Sequence, residues 1–219
     1  MNCRTHKTCL TLEKRQVEEC VLGIFHTVLF RRLQPKMVFR QSDGETFAVG
    51  TVGYEDQRCD HVESTFARCS SPQLHDSVKK RTHTFAASLA ARPDVRSAEI
   101  RLSFFEKSRG TWFASQANWE EWVVEVNFRE CSSDSERQAS RVEAGRDLSA
   151  AIMDISDTLS QMGTAHCPLF TDGKDANYVF DSQFDDVSPY FHQIVFNIGE
   201  EPSGGTMTAF GRLVRGTFA

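Results

Sequence analysis

The residues in this chain whose types could do chemistry fall into short clusters. His166 stands beside Cys167, with His192 further along. An imidazole next to a thiol is the raw material of a cysteine nucleophile, but nothing in the surrounding sequence orients a base toward a sulfur. Cys59-Asp60-His61 sets three metal-ligating types in a row, yet no second pair at zinc spacing follows, and Cys69 has no histidine near it. Asp181, Asp185 and Asp186 surround Phe180 and Phe184; carboxylates without a partner acid or base read as the edge of a solvated loop. Gly50-Thr51-Val52-Gly53 lacks both the Gly-Lys-Ser/Thr of a phosphate loop and a dinucleotide fingerprint, so its glycines read as turn or bulge residues. No cofactor and no metal are expected. A small hydrolase built on Cys167 and a distant histidine stands as the enzymatic alternative to a binding protein.

A different kind of signal lies at Trp112 and Phe113, adjacent residues inside the polar stretch 108–118. Aromatic side chains carry the largest hydrophobic payload of any residue. Two of them on a connection between strands need a pocket, either in their own core or in a partner, and the second case makes a binding protein. Trp122 belongs to the apolar row of the following strand and reads as core, whereas Trp119 opens that strand and braces the connection. His26, beside the apolar stripe of a helix, reads as a core or boundary histidine rather than a catalyst.

The elements that position these residues follow from periodicity. Val17, Cys20, Val21, Ile24, Phe25, Val28 and Leu29 recur at three and four positions, which predicts an amphipathic helix from Glu13 to about Leu33, ended by Pro35. Short strands are predicted over Met37 to Arg40, Glu45 to Val52 and Val62 to Cys69. Ser70-Ser71-Pro72 starts a second helix, buried along Leu74, Val78, Phe85 and Leu89 and stopped by Pro93. Ser97 to Lys107 and Trp119 to Cys131 read as extended strands joined by the aromatic connection, the second alternating Trp122, Val124, Val126 and Phe128 on one side. Ser133 to Glu136 has the capping-box spacing. Ala139, Val142, Leu148, Ile152, Ile155, Leu159 and Met162 then make a third long helix that Gly163 ends. Thr164 to Ala176 reads as loop, Val187 to Ile198 as one strand, and Thr206 to Ala219, after a Gly-rich turn, as strand-like. Helices interspersed among mostly antiparallel strands define an α+β domain.

Composition bounds the partners. With 219 residues, 24.8 kDa and 40% hydrophobic content the chain can fill the core of one domain. A formal net charge of −5 argues against nucleic acid or an anionic membrane. No apolar run reaches the roughly 18 residues of a transmembrane segment. Seven cysteines without a CxxC spacing predict reduced thiols in a cytoplasmic protein.

Met1-Asn2-Cys3-Arg4, Arg15-Gln16-Val17-Glu18-Glu19, His26-Thr27-Val28-Leu29, Gly50-Thr51-Val52-Gly53, Trp119-Glu120-Glu121-Trp122, Glu136-Arg137-Gln138, Phe180-Asp181 and Asp186-Val187-Ser188-Pro189-Tyr190, in this order and spacing, resemble the autophagy-related protein 101 family nearly end to end. The resemblance implies a single HORMA domain over residues 1–219, a sheet packed against three main helices, and a scaffold without catalysis. It further implies a chain that pairs with and stabilises the HORMA domain of autophagy-related protein 13 within the autophagy-initiating kinase complex. A Trp-Phe finger, matched here by Trp112 and Phe113, would recruit downstream factors to the phagophore assembly site. The animal family places Trp-Pro-Phe after its Ser-Arg pair, whereas here Ser108-Arg109 leads to Gly110-Thr111-Trp112-Phe113 and the rings are adjacent. In an extended segment adjacent side chains point opposite ways. By fold analogy the helix from Asp134 to Met162 is the partner-docking surface, with Arg137, Arg141 and Arg146 on its outer face. A HORMA module of another pathway, capturing peptides with a mobile C-terminal segment, is the alternative within binding proteins.

Overall fold

A strand that periodicity did not announce begins the chain: β1 (Arg4–Leu12) buries only Leu10 and Leu12, at its C-terminal end. A 3-10 turn, Lys14–Gln16, in which Glu13 and Gln16 cap each other, leads into α1 (Val17–Phe30). There follow β2 (Leu33–Pro35), β3 (Met37–Arg40), β4 (Thr46–Val49), β5 (Tyr54–Arg58), β6 (Thr65–Cys69), α2 (Pro72–Ala90), β7 (Ser97–Glu106), β8 (Ala117–Phe128), α3 (Asp134–Met162), the one-turn α4 (Ala176–Val179), β9 (Val187–Pro189) and β10 (His192–Ile198). The computed structural model describes residues 3–40, 46–107, 117–168 and 176–198. The segment Thr206 to Ala219, expected to be strand-like, lies outside them.

Among the described residues the main sheet has the order β1-β8-β7-β10. β7 pairs antiparallel with both β8 and β10, and β1 joins β8 in parallel. The sheet is therefore mainly antiparallel, as expected, with one parallel edge. Cross-strand rows such as Ile194, Leu102 and Trp122, or Phe196, Ile100 and Val124, stack large apolar side chains on one face. These rows join α1, α2 and α3 in one core.

α1 is more deeply set than a one-stripe helix. Ten of its fourteen residues are buried, because it lies between α2, α3 and β6; a helix apolar nearly all round is a central one. It stops at Phe30 rather than near Leu33 because Leu33–Pro35 pairs with β9. The strand expected over Val187 to Ile198 also divides. β9 pairs with β2 and β10 with β7, and between them the Tyr190 amide donates to the Arg32 carbonyl and the Phe191 amide to that of Val179. The strand expected over Glu45 to Val52 ends at Val49, and Gly50 to Gly53 form the link into β5, whose Tyr54–Arg58 sequence has no apolar alternation.

Both later helices start where their caps predict. Ser71 Oγ accepts the Leu74 amide, with Pro72 in the first turn. Ser133 Oγ accepts the Glu136 amide at 3.2 Å while the Glu136 carboxylate accepts the Ser133 amide at 3.1 Å. Gly163, at φ +57°, ends α3 in a conformation that favours glycine. The buried stripe of α3 is narrow, and at Gly145 the turn between β5 and β6 lands on it backbone first: the Glu63 amide donates to the Arg141 carbonyl at 3.1 Å, and a Cβ added at Gly145 would sit 2.8 Å from the Glu63 carbonyl carbon.

Candidate functional site

The strands flanking the aromatic connection are tied down at their tips. Glu106 stands opposite Ala117 in register. The Lys107 amide donates to the Tyr178 carbonyl at 2.9 Å, and its ammonium lies 3.8 Å from the centre of the Phe191 ring. Trp112 and Phe113 themselves fall in 108–116, outside the described residues. One step below the tip, Trp119 is buried among the rings of Phe104, Tyr190 and His166, with centroids 5.2 to 5.7 Å away. Trp119 thus braces the base of the connection, and Trp122 lies in the core, both as expected.

Beside Trp119 sits a carboxylate that sequence reasoning missed. Glu120 is fully buried, and four N–H groups converge on it: Arg32 Nε on Oε1 at 3.0 Å, Arg32 Nη2 on Oε2 at 2.9 Å, Trp122 Nε1 on Oε1 at 2.7 Å and His166 Nε2 on Oε2 at 2.5 Å. Burial alone would push this carboxyl upward, but the hydrogen bonds and charge of Arg32, with Trp122 and His166, more than offset it and hold the group below the ordinary carboxylate range. A carboxylate only accepts, so His166 carries its proton on Nε2. Around this centre His166 Nδ1, His6 Nε2 and Trp119 Nε1 are buried with no partner among the described residues. The signal that could have found Glu120 was present. It occupies the same inward alternation as Trp122, Val124 and Val126, and an acid there requires a buried cation.

The residues with catalytic types are engaged in structure. Cys167 is buried, and burial, the largest influence, pushes its thiol upward although the charge of Arg32 opposes this. A nucleophile needs the opposite direction. Its neighbour His166 bonds Glu120, and His192 pairs through Nδ1 with the Tyr190 carbonyl at 3.0 Å. His26 is a fully buried core residue, its Nε2 3.0 Å from His75 Nδ1, and burial with the charge of His75 lowers its pKa to about 3. In Cys59-Asp60-His61 the amides of Asp60 and His61 donate to the Glu19 carboxylate, and burial pushes the Cys59 thiol up to about 12. No cluster of three metal-ligating side chains occurs among the described residues, and all seven cysteines are free. The acidic cluster is not merely a solvated edge. Asp186 accepts the Ser71 hydroxyl and Asp185 the Gln73 amide, docking the chain on the start of α2 while Phe180 and Phe184 are buried.

The arginines of α3 are not all on its outer face. At roughly 100° per residue, Arg137 and Arg141 align with buried Leu148, Ile155 and Leu159, and Arg146 lies opposite, between exposed Val142 and Met153. Arg137 pairs with Asp134 at 2.7 Å. Arg141, with a buried Nε that has no partner among the described residues, closes a cleft of about 200 Å³ with Arg15 and His61. The turn between β5 and β6 meets this part of α3 as well, its Asp60 and His61 lining the same cleft as Asp134, Arg137 and Arg141.

A mainly antiparallel sheet, the helices packed on it and a buried Arg32–Glu120 centre define an α+β domain. A sequence profile for Autophagy-related protein 101 matches residues 9–173. Autophagy-related protein 101 of Mus musculus is 31% identical over 221 aligned positions covering 100% of both chains, and those of Homo sapiens and Xenopus tropicalis are 30% identical with the same coverage. The chain belongs to the autophagy-related protein 101 family. No helix among the described residues is long and apolar enough to cross a membrane.

Proposed function

We propose that this chain is a non-catalytic adaptor of autophagy initiation, a HORMA domain over residues 1–219. In this reading it pairs with and stabilises the HORMA domain of autophagy-related protein 13 inside the autophagy-initiating kinase complex. It acts in the cytoplasm and at the phagophore assembly site, where Trp112 and Phe113 recruit downstream factors. The observation that carries this reading is the anchored hairpin base: Lys107, Trp119 and the Arg32–Glu120 pair hold both ends of a connection whose middle is two adjacent aromatics. Burying one such ring contributes about 1.5–3 kcal/mol by area, and interface anchors commonly cost about 2 kcal/mol or more on truncation.

For pairing, α3 supports a docking role. Val142 (37% exposed) and Met153 (68% exposed) flank Arg146 on one face, and Arg137 and Arg141 close its N-terminal end. The upward-shifted Cys167 thiol, the opposite of what a nucleophile needs, supports a scaffold over a hydrolase. Capture from cytosol with wild-type and Trp112→Ala/Phe113→Ala protein tests the reading. The HORMA partner is expected on both baits and the downstream factors on wild type alone; loss of both partners together with a strongly lowered melting temperature would assign the rings to the core instead.

A further inference from the structure

A groove of about 630 Å³ runs between α1 and α2 and is flanked by the β5–β6 turn. Its floor is apolar, with Leu22 and Phe66 below and the small Ala86, Ala87 and Ala90 of α2 leaving space between the helices. Its rim inverts the sign of the whole chain. Four cations, Lys14, Arg15, Arg58 and Lys79, face three carboxylates, Glu18, Glu19 and Asp60, on a protein of net charge −5. Most of these carboxylates are already engaged: both Glu19 oxygens accept backbone amides at 2.7 and 2.9 Å, and Glu18 lies 2.9 Å from His83 Nδ1. Arg58 and Lys79, exposed on β5 and α2, make no side-chain hydrogen bond or ion pair among the described residues.

We propose that this groove binds an extended acidic peptide segment of a partner protein, with carboxylates set on Arg58 and Lys79 and small apolar side chains on the alanine floor. Two cations without a side-chain partner among the described residues, above an apolar floor, match an acidic chain that carries alternate small residues. A bilayer is flat and cannot reach a floor set between two helices, whereas an extended chain can. The groove shares no lining residue with the 108–116 segment or with the outer face of α3, so the inference goes beyond the adaptor reading and does not depend on it.

Fluorescence anisotropy tests it with a labelled twelve-residue peptide of alternating Glu and Ala, a Lys-Ala peptide as control, and phosphatidylserine vesicles as a third arm. Saturable binding of the Glu-Ala peptide is expected, weakening with salt. Arg58→Glu with Lys79→Glu should reduce affinity about tenfold or more, and Ala87→Trp, which fills the floor from an exposed position, should abolish binding. Each variant should keep the wild-type melting temperature. The proposal is overturned by absence of saturable binding, by binding that ignores both variants, by vesicle binding that the charge reversals remove, or by self-association that the same reversals abolish.

Discussion

Glutamine at position 120 would keep the volume of the buried carboxylate and remove its charge. Two Arg32 donors, Trp122 Nε1 and His166 Nε2 all point at that group. A glutamine amide accepts at one oxygen only and turns an NH2 toward the remaining donors. Arg32, 2% exposed, would be left as a buried cation without its counter-charge. Removing one member of a buried pair costs about 3–5 kcal/mol, and in a domain of this size each kcal/mol moves Tm by roughly 2–4 °C, so Glu120→Gln should melt about 6–20 °C below wild type near neutral pH. Arg32→Met with Glu120→Leu removes both charges and should recover a good part of that loss. The sign with pH is fixed as well. A carboxyl held below its ordinary range in the fold contributes stability above its unfolded pKa of about 4.3, lost as pH falls through the lower folded value. Thermal melts followed by circular dichroism should therefore show wild type and Glu120→Gln converging on acidification below about pH 4. A Glu120→Gln protein melting within about 2 °C of wild type at pH 7, or a gap unchanged into acid, would refute the account of the polar core.

Gly145→Ala raises intrinsic helix propensity by up to about 1 kcal/mol, yet its Cβ would meet the Glu63 carbonyl; a net loss of about 1–3 kcal/mol in urea denaturation is expected, and a gain would show that the β5–β6 turn does not rest there. Ser133→Ala removes one half of the α3 capping box and should cost about 1 kcal/mol in the same assay. In native protein near neutral pH, iodoacetamide should modify exposed Cys3 and Cys9 well before buried Cys167, and rapid alkylation of Cys167 read by mass spectrometry would revive the hydrolase reading. Met153→Glu on the outer face of α3 should leave Tm unchanged and weaken affinity for the HORMA partner; unaltered affinity in calorimetry would move the pairing surface elsewhere.

Where side chains answered to a single neighbour, the sequence was readable. Ser71-Pro72 and the Ser133–Glu136 box announce their helices because capping is local, and the inward row Trp122, Val124 and Val126 of β8 is readable because it faces the core, although Trp119 and Val123 of the other row are buried too. β1 was invisible because its inward positions include His6 and Thr8, which earn their place only once β8 lies alongside. β9 and β10 looked continuous because nothing local reports that Tyr190 passes from one sheet to another. Arg32 and Glu120 are 88 residues apart and meet only in the folded core; from sequence each is an ordinary charge, and only the inward register of Glu120 hints at the pair. Likewise Arg141 reads as an outer-face residue until the β5–β6 turn is placed against the helix. Such contacts are tertiary, and periodicity carries no information about them.

The adaptor account is tested most directly by quantitative capture with the Trp112→Ala/Phe113→Ala chain, run beside a thermal melt of the same protein. It predicts an unchanged melting temperature, full retention of the HORMA partner and loss of the downstream factors. Full recovery of those factors by the double variant would contradict it.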